Sequence, residues 1–148
     1  MEVKKAYKVF RYASEVRWKA DRRGVICSDG KPDLDVSSPP EFKGEAGAWT
    51  PEDMFVASVN VCTMLSFVAF AQHKGLELLG YESDAEGTLE SIDGKYRVTE
   101  VTLRPHVTVK AEEDFAHAQG VLEEAHANCF ISNSITTAVK IFPQFRVA

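Results

Sequence analysis

Residues 54–72 form a run of nineteen positions without a formal charge, and such a run has to be enclosed. Its borders read as those of one long helix. Thr50 stands at the N-cap position, Pro51 at the first helical position and Glu52 and Asp53 in the first turn, where acids suit the positive end of the helix dipole; Gly75 supplies the stop. The length nearly spans a bilayer, but Ser58, Asn60, Thr63, Ser66 and Gln72 dilute it, and nothing else in the chain looks membranous. The expectation is therefore a helix covered by protein on every side.

Within this helix Ser58, Cys62, Ser66 and Ala69 recur at four- and three-residue steps and form a narrow seam of small side chains. A second apolar face runs through Phe115, Ala118, Leu122 and Ala125 to Cys129, placing Cys129 at the inward end of a helix over residues 112–127. Two inward cysteines on separate elements make thiol chemistry the first hypothesis. Free cysteine is also a common inert core residue, so the bland reading of Cys62 stands beside it. Cys27 reads as a strand residue without a role.

The remaining segments alternate in the manner of strands: residues 5–20, 25–28, 34–37, 76–89, 96–110 and 139–147. Turns are expected at Asp21-Arg22-Arg23-Gly24, Ser28-Asp29-Gly30 and Ile92-Asp93-Gly94-Lys95, with a short helical turn at Ser132-Asn133-Ser134 and a bend at Pro143. Lys4, Lys5, Lys8, Arg11 and Arg17 read as a solvated strand face. The order is strands, buried helix, strands, helix, strand. It gives an α+β class with mainly antiparallel sheets, because hairpin-sized turns join the strands, and one domain over residues 1–148.

A net charge of −5 without a basic run argues against nucleic-acid binding. Three cysteines at irregular spacing suggest no disulfide scaffold, and four scattered histidines without CxxC or HExxH suggest no metal or other cofactor. MEVKKAYKVFRY lacks a signal-peptide core, so a reducing cytoplasm is the expected compartment. His126, near a helix end, reads as a dipole partner more readily than as a group facing Cys129. Trp18, Trp49, Phe55, Phe67 and Phe70 are either core or the lining of an apolar pocket.

TPEDMFVASVNVC followed by HANCFISNSI resembles the OsmC/Ohr family of osmotically induced and organic hydroperoxide resistance proteins. In that family a Pro-Glu pair opens the central helix and the first cysteine lies ten residues after the glutamate, as Cys62 does after Glu52. The second cysteine leads into a Ser-Asn pair, here Ser132-Asn133 after Cys129. SDGKPDLDVSSP ahead of a Gly-rich loop adds to the likeness, which covers nearly the whole chain. The resemblance implies an intertwined homodimer with antiparallel sheets wrapped around two central helices. It further implies thiol-dependent reduction of hydroperoxides, with Cys62 peroxidatic, Cys129 resolving, and an external dithiol of lipoyl type as reductant. A family arginine, oriented by Glu52, would hold the thiolate. Its position falls on Asp21; a one-residue slip selects Arg22, and Arg17 and Arg23 are the further candidates. Phe130 stands where the family often has proline.

Burial alone raises a cysteine pKa, so Cys62 needs a cation to act as a nucleophile. Its own helix N-terminus lies about 16 Å away. Glu52 and Cys62 on one straight helix are about 15 Å apart along the axis and roughly 80° apart around it. An arginine shared by both therefore calls for Glu52 from a second subunit. The alternatives to an enzyme are a binding module of the same fold that holds an apolar small molecule, and a thiol redox sensor.

Overall fold

The computed structural model describes residues 7–148, so Lys4 and Lys5 lie outside the described residues. The chain divides into two compact units, the first closing at Pro51 and the second running Glu52–Ala148.

The first unit is a three-stranded antiparallel sheet in the order β1 (Glu15–Ala20), β2 (Arg23–Cys27), β3 (Leu34–Ser37). Asp21, in the tight β1–β2 turn, holds a positive φ of 48°. The expected strand over residues 5–20 is shorter than its alternation: residues 7–14 form no ladder, because β1 pairs with β2 only from Glu15 onward. The Pro- and Gly-rich segment after β3 contains a 3₁₀ turn at Pro40–Phe42, and Ser37 Oγ accepts the Glu45 N–H at 2.9 Å.

Helix α1 (Pro51–His73) enters the second unit from Glu52 onward and is followed there by β4 (Leu78–Ile92), β5 (Lys95–Val109), α2 (Phe115–Ala127), β6 (Ala138–Ile141) and β7 (Gln144–Val147). Gly75, at φ 70°, ends α1, and the Leu76 N–H returns to the Ala71 carbonyl at 2.9 Å. Asp93 and Gly94, at φ 51° and 80°, form the two-residue turn of the β4–β5 hairpin, with Ile92 opposite Lys95. On β5 the residues Val101, Leu103, Pro105, Val107 and Val109 are all buried, a period of two that turns one sheet face inward. Against that face lie Phe67 and Ala71 of α1 and Ala118, Val121, Leu122 and Ala125 of α2; Val59 packs further along with Val101 and Leu103.

Pairing departs from the sequence expectation at the C-terminus. β1–β2–β3 and β4–β5 are antiparallel, but β6 and β7 both run parallel to β5, against Glu100–Leu103 and His106–Val109 in turn. A parallel neighbour requires a crossover, and α2 is that crossover. The Phe142-Pro143 break separates β6 from β7, and Pro105 of β5 falls between the two paired stretches.

Helix α1 also departs from expectation. It is long and apolar enough to cross a membrane by length and composition, yet it buries one stripe only: Val59, Thr63, Phe67 and Ala71. Val61 and Leu65 are 49% and 58% exposed, because β5 and α2 cover a single side of the helix.

Candidate functional site

Cys62 sits on the flank of α1 between its buried stripe and its exposed apolar face. It is partly buried, as are Ser58 and Ser66 of the same seam. The hydroxyls beside it are partly committed to the helix: Ser58 Oγ donates to the Phe55 carbonyl at 2.7 Å and Thr63 Oγ1 to the Val59 carbonyl at 2.9 Å.

Cys129 lies just beyond the end of α2 and is fully buried. Side-chain amides add to the capping there: Asn128 Nδ2 donates to the Glu124 carbonyl at 2.8 Å, beside its own backbone N–H at 3.2 Å, and Asn133 Nδ2 donates to the Ala127 carbonyl at 3.1 Å. The expected turn at Ser132–Ser134 is a 3₁₀ turn. It is tied back by the Asn133 N–H to the Cys129 carbonyl at 3.0 Å and by Ser134 Oγ to the Phe130 carbonyl at 2.6 Å. Phe130, next to the buried cysteine, is 81% exposed.

The fold brings the two cysteines together. Burial pushes the Cys129 thiol up, but the Ser132 hydroxyl and backbone N–H, the Cys62 thiol and the Thr63 hydroxyl outweigh it and bring Cys129 below the ordinary thiol range. Both cysteines are free, as is Cys27. Partial burial and the neighbouring Asp33 carboxylate push the Cys27 thiol up, the setting of a structural cysteine.

Glu52 occupies the first turn of α1, and its Oε2 is buried without a hydrogen-bond partner. The three arginines belong to the first unit. Arg17 pairs with Glu15 at 3.0 Å and Arg23 with Glu45 at 3.4 Å, while Arg22 is exposed in the β1–β2 turn. The His126 carbonyl accepts the Cys129 N–H at 3.2 Å, and His126 lines a small cavity with Leu122, Val139 and Ile141. Phe67 belongs to the core and Phe55 and Phe70 pack against it, whereas Trp18 and Trp49 are exposed. Among the described residues no group of three or more His, Cys, Asp or Glu is placed to hold a metal ion.

Sequence reasoning missed Thr63 and gave Ser132 only a capping role. Thr63 had a signal, standing next to Cys62 on the stripe that starts at Val59. Ser132 had one in its three-residue spacing from Cys129, the distance at which one turn brings side chains together.

Residues 44–142 match the family model described as OsmC-like protein. The uncharacterized protein YmaD of Bacillus subtilis is 24% identical over 131 residues, which cover 86% of this chain and 87% of that protein. An OsmC-like protein of unknown function from Vibrio cholerae superposes with a TM-score of 0.85 at 27% identity, covering 92% of this chain and 100% of the other. An organic hydroperoxide resistance protein, OsmC, from Legionella pneumophila superposes with a TM-score of 0.71 at 25% identity, covering 92% and 98%.

Proposed function

The chain belongs to the OsmC-like protein family, and from that premise we propose that it is a thiol-dependent peroxidase that reduces hydroperoxides, organic ones especially, to alcohols. The observation that carries the reading is the meeting of Cys62 and Cys129, from segments far apart in sequence, with Ser132 and Thr63 beside the Cys129 thiol and holding it below the ordinary range. A pair of inert core cysteines has no use for such donors.

In the proposed cycle the Cys62 thiolate attacks the distal oxygen of ROOH. The O–O bond breaks, the alkoxide takes a proton and leaves as ROH, and Cys62 becomes a sulfenic acid. The Cys129 thiolate then attacks the Cys62 sulfur, and the displaced hydroxide takes a proton to give water. An external dithiol, of lipoyl type, reopens the disulfide by exchange and is itself oxidised.

Arg22 is the proposed cation for the Cys62 thiolate, with Glu52 orienting it. Support comes from the buried, unpartnered Glu52 Oε2, a carboxylate oxygen that a guanidinium would satisfy. Because Glu52 and Cys62 lie far apart along α1, the reading takes the two from different copies of the chain. The exposed apolar face through Val61 and Leu65 offers the surface on which two copies would meet as a homodimer. The reading takes residues 1–148 as one domain and the cytoplasm as the compartment.

The test is a thiol count before and after one equivalent of cumene hydroperoxide. Loss of two thiols per chain, abolished in Cys62→Ser, is the expected result. A count that stays constant overturns the reading in favour of a binding module. Oxidation without sustained peroxide consumption in the presence of a dithiol overturns it in favour of a sensor.

A further inference from the structure

One of the donors that bear on Cys129 has no other employment. Ser132 Oγ is buried and completes no hydrogen bond, although its neighbours in the same turn are all engaged. A buried hydroxyl left unpaired is costly and uncommon. The turn that carries it is held by side-chain and backbone bonds on both sides: Asn133 reaches back to Ala127, Ser134 to Phe130, and the Ser134 N–H to Ile131 at 3.0 Å. Ser132 is thereby held in the turn that follows the buried Cys129, and its hydroxyl and N–H are among the groups that lower the Cys129 thiol. A neutral thiol is a weak acceptor and gives the hydroxyl little to bond to; a thiolate is a strong one.

We propose that Ser132 is a positioning residue whose hydroxyl closes onto the Cys129 sulfur when that sulfur is ionised, making Cys129 both the attack-ready resolving thiol and the leaving group when the disulfide is reopened. In the resolving step the held thiolate displaces hydroxide from the Cys62 sulfenic acid, and that hydroxide leaves as water after taking a proton from solvent. In the reductive step the thiolate of an external dithiol attacks the Cys62 sulfur, the Cys62–Cys129 bond breaks, and the electron pair stays on Cys129, where Ser132 receives it. The exchange therefore runs through a mixed disulfide on Cys62, since the sulfur with the better-stabilised thiolate leaves faster. The inference rests on the assignment of Cys129 as the resolving thiol, but its first test does not require peroxide turnover.

That test is a thiolate titration by ultraviolet absorbance in a Cys27→Ser, Cys62→Ser protein, where Cys129 is the only thiol. Adding Ser132→Ala should raise the pH of half-ionisation by about one unit, a tenfold change in the ionisation constant. Ser132→Thr should restore it. Where Ser132→Ala fails to fold, the Thr and Val variants at this position, alike in shape and different in the hydroxyl, make the same comparison. In the Cys27→Ser protein with both other cysteines present, Ser132→Ala should slow reopening of the disulfide by dihydrolipoamide by a factor of about three, following the dependence on leaving-group acidity. A Cys129 titration unmoved by loss of the hydroxyl, in a variant that melts normally, would overturn the proposal. If peroxide is not consumed at all while the titration still shifts, the peroxidase reading fails and the role of Ser132 at Cys129 stands.

Discussion

Closing a bond between Cys62 and Cys129 should stabilise the chain by an amount that its topology sets. The two cysteines stand 67 positions apart, so the cross-link removes a long loop from the unfolded ensemble. In the chain-entropy treatment a loop of that length is worth about 4 kcal/mol at 25 °C. For a domain of this size each kcal/mol moves the melting temperature by roughly 2–4 °C, so the oxidised protein should melt about 10–15 °C above the reduced one. The Cys62 thiol already bears on the Cys129 thiol in the reduced fold, and the figure takes the bridge to close without moving the backbone. The assay is differential scanning calorimetry on Cys27→Ser protein, treated with one equivalent of peroxide or kept in dithiol, with Cys62→Ser as the control that should show no difference. An oxidised protein that melts no higher than the reduced one would refute the reasoning. It would mean that the bridge either does not form or distorts α1 or the turn after α2 by as much as it gains.

Three further outcomes follow from the packing and the charges. Phe67 is fully buried and meets Tyr81 at a ring separation of 5.6 Å, so Phe67→Ala should cost about 3–5 kcal/mol in urea unfolding. Burial pushes the Tyr81 phenol up to about 12, against a pull from Ser83, so the folded state keeps a proton that the unfolded chain gives up at lower pH. Stability should be full below pH 10 and decline toward pH 12, and Tyr81→Phe should flatten that decline. Because the Tyr81 hydroxyl is buried without a formed hydrogen bond, the same change should cost less than about 1 kcal/mol at neutral pH. Arg22→Ala should slow peroxide consumption by about 10²-fold in stopped-flow assays, while Arg17→Ala, which breaks only the exposed pair with Glu15, should leave it near the starting rate.

Elements governed by local chemistry were legible in the sequence. Gly75 after α1, Asp93-Gly94 between β4 and β5, and the three-and-four spacing that leads to Cys129 each express a constraint satisfied within a few residues. What was not legible depends on partners distant in sequence. The parallel pairing of β6 and β7 with β5 follows from the helix between them, and an alternating strand reads alike in either direction. The exposed side of α1 looks in sequence like the buried side, because Val61 and Leu65 are as apolar as Val59 and Phe67. Residues 7–14 alternate like a strand but have no facing ladder. Around Cys129 the helical spacing pointed to its burial, whereas the placement of Thr63 and Ser132 beside that thiol depends on a contact between segments far apart in sequence.

The parallel arrangement also sets an order of assembly. The β4–β5 hairpin closes over a two-residue turn and can form as soon as both strands exist. Ala138 pairs with Glu100 and Gln144 with His106, partners 38 positions away, so β6 and β7 dock only after α2 has crossed the sheet. Cys129 lies on that late crossover. During synthesis Cys62 emerges from the ribosome before Cys129, so on the proposed reading a growing chain passes through a stage in which Cys62 has no Cys129 to resolve its sulfenic acid before over-oxidation.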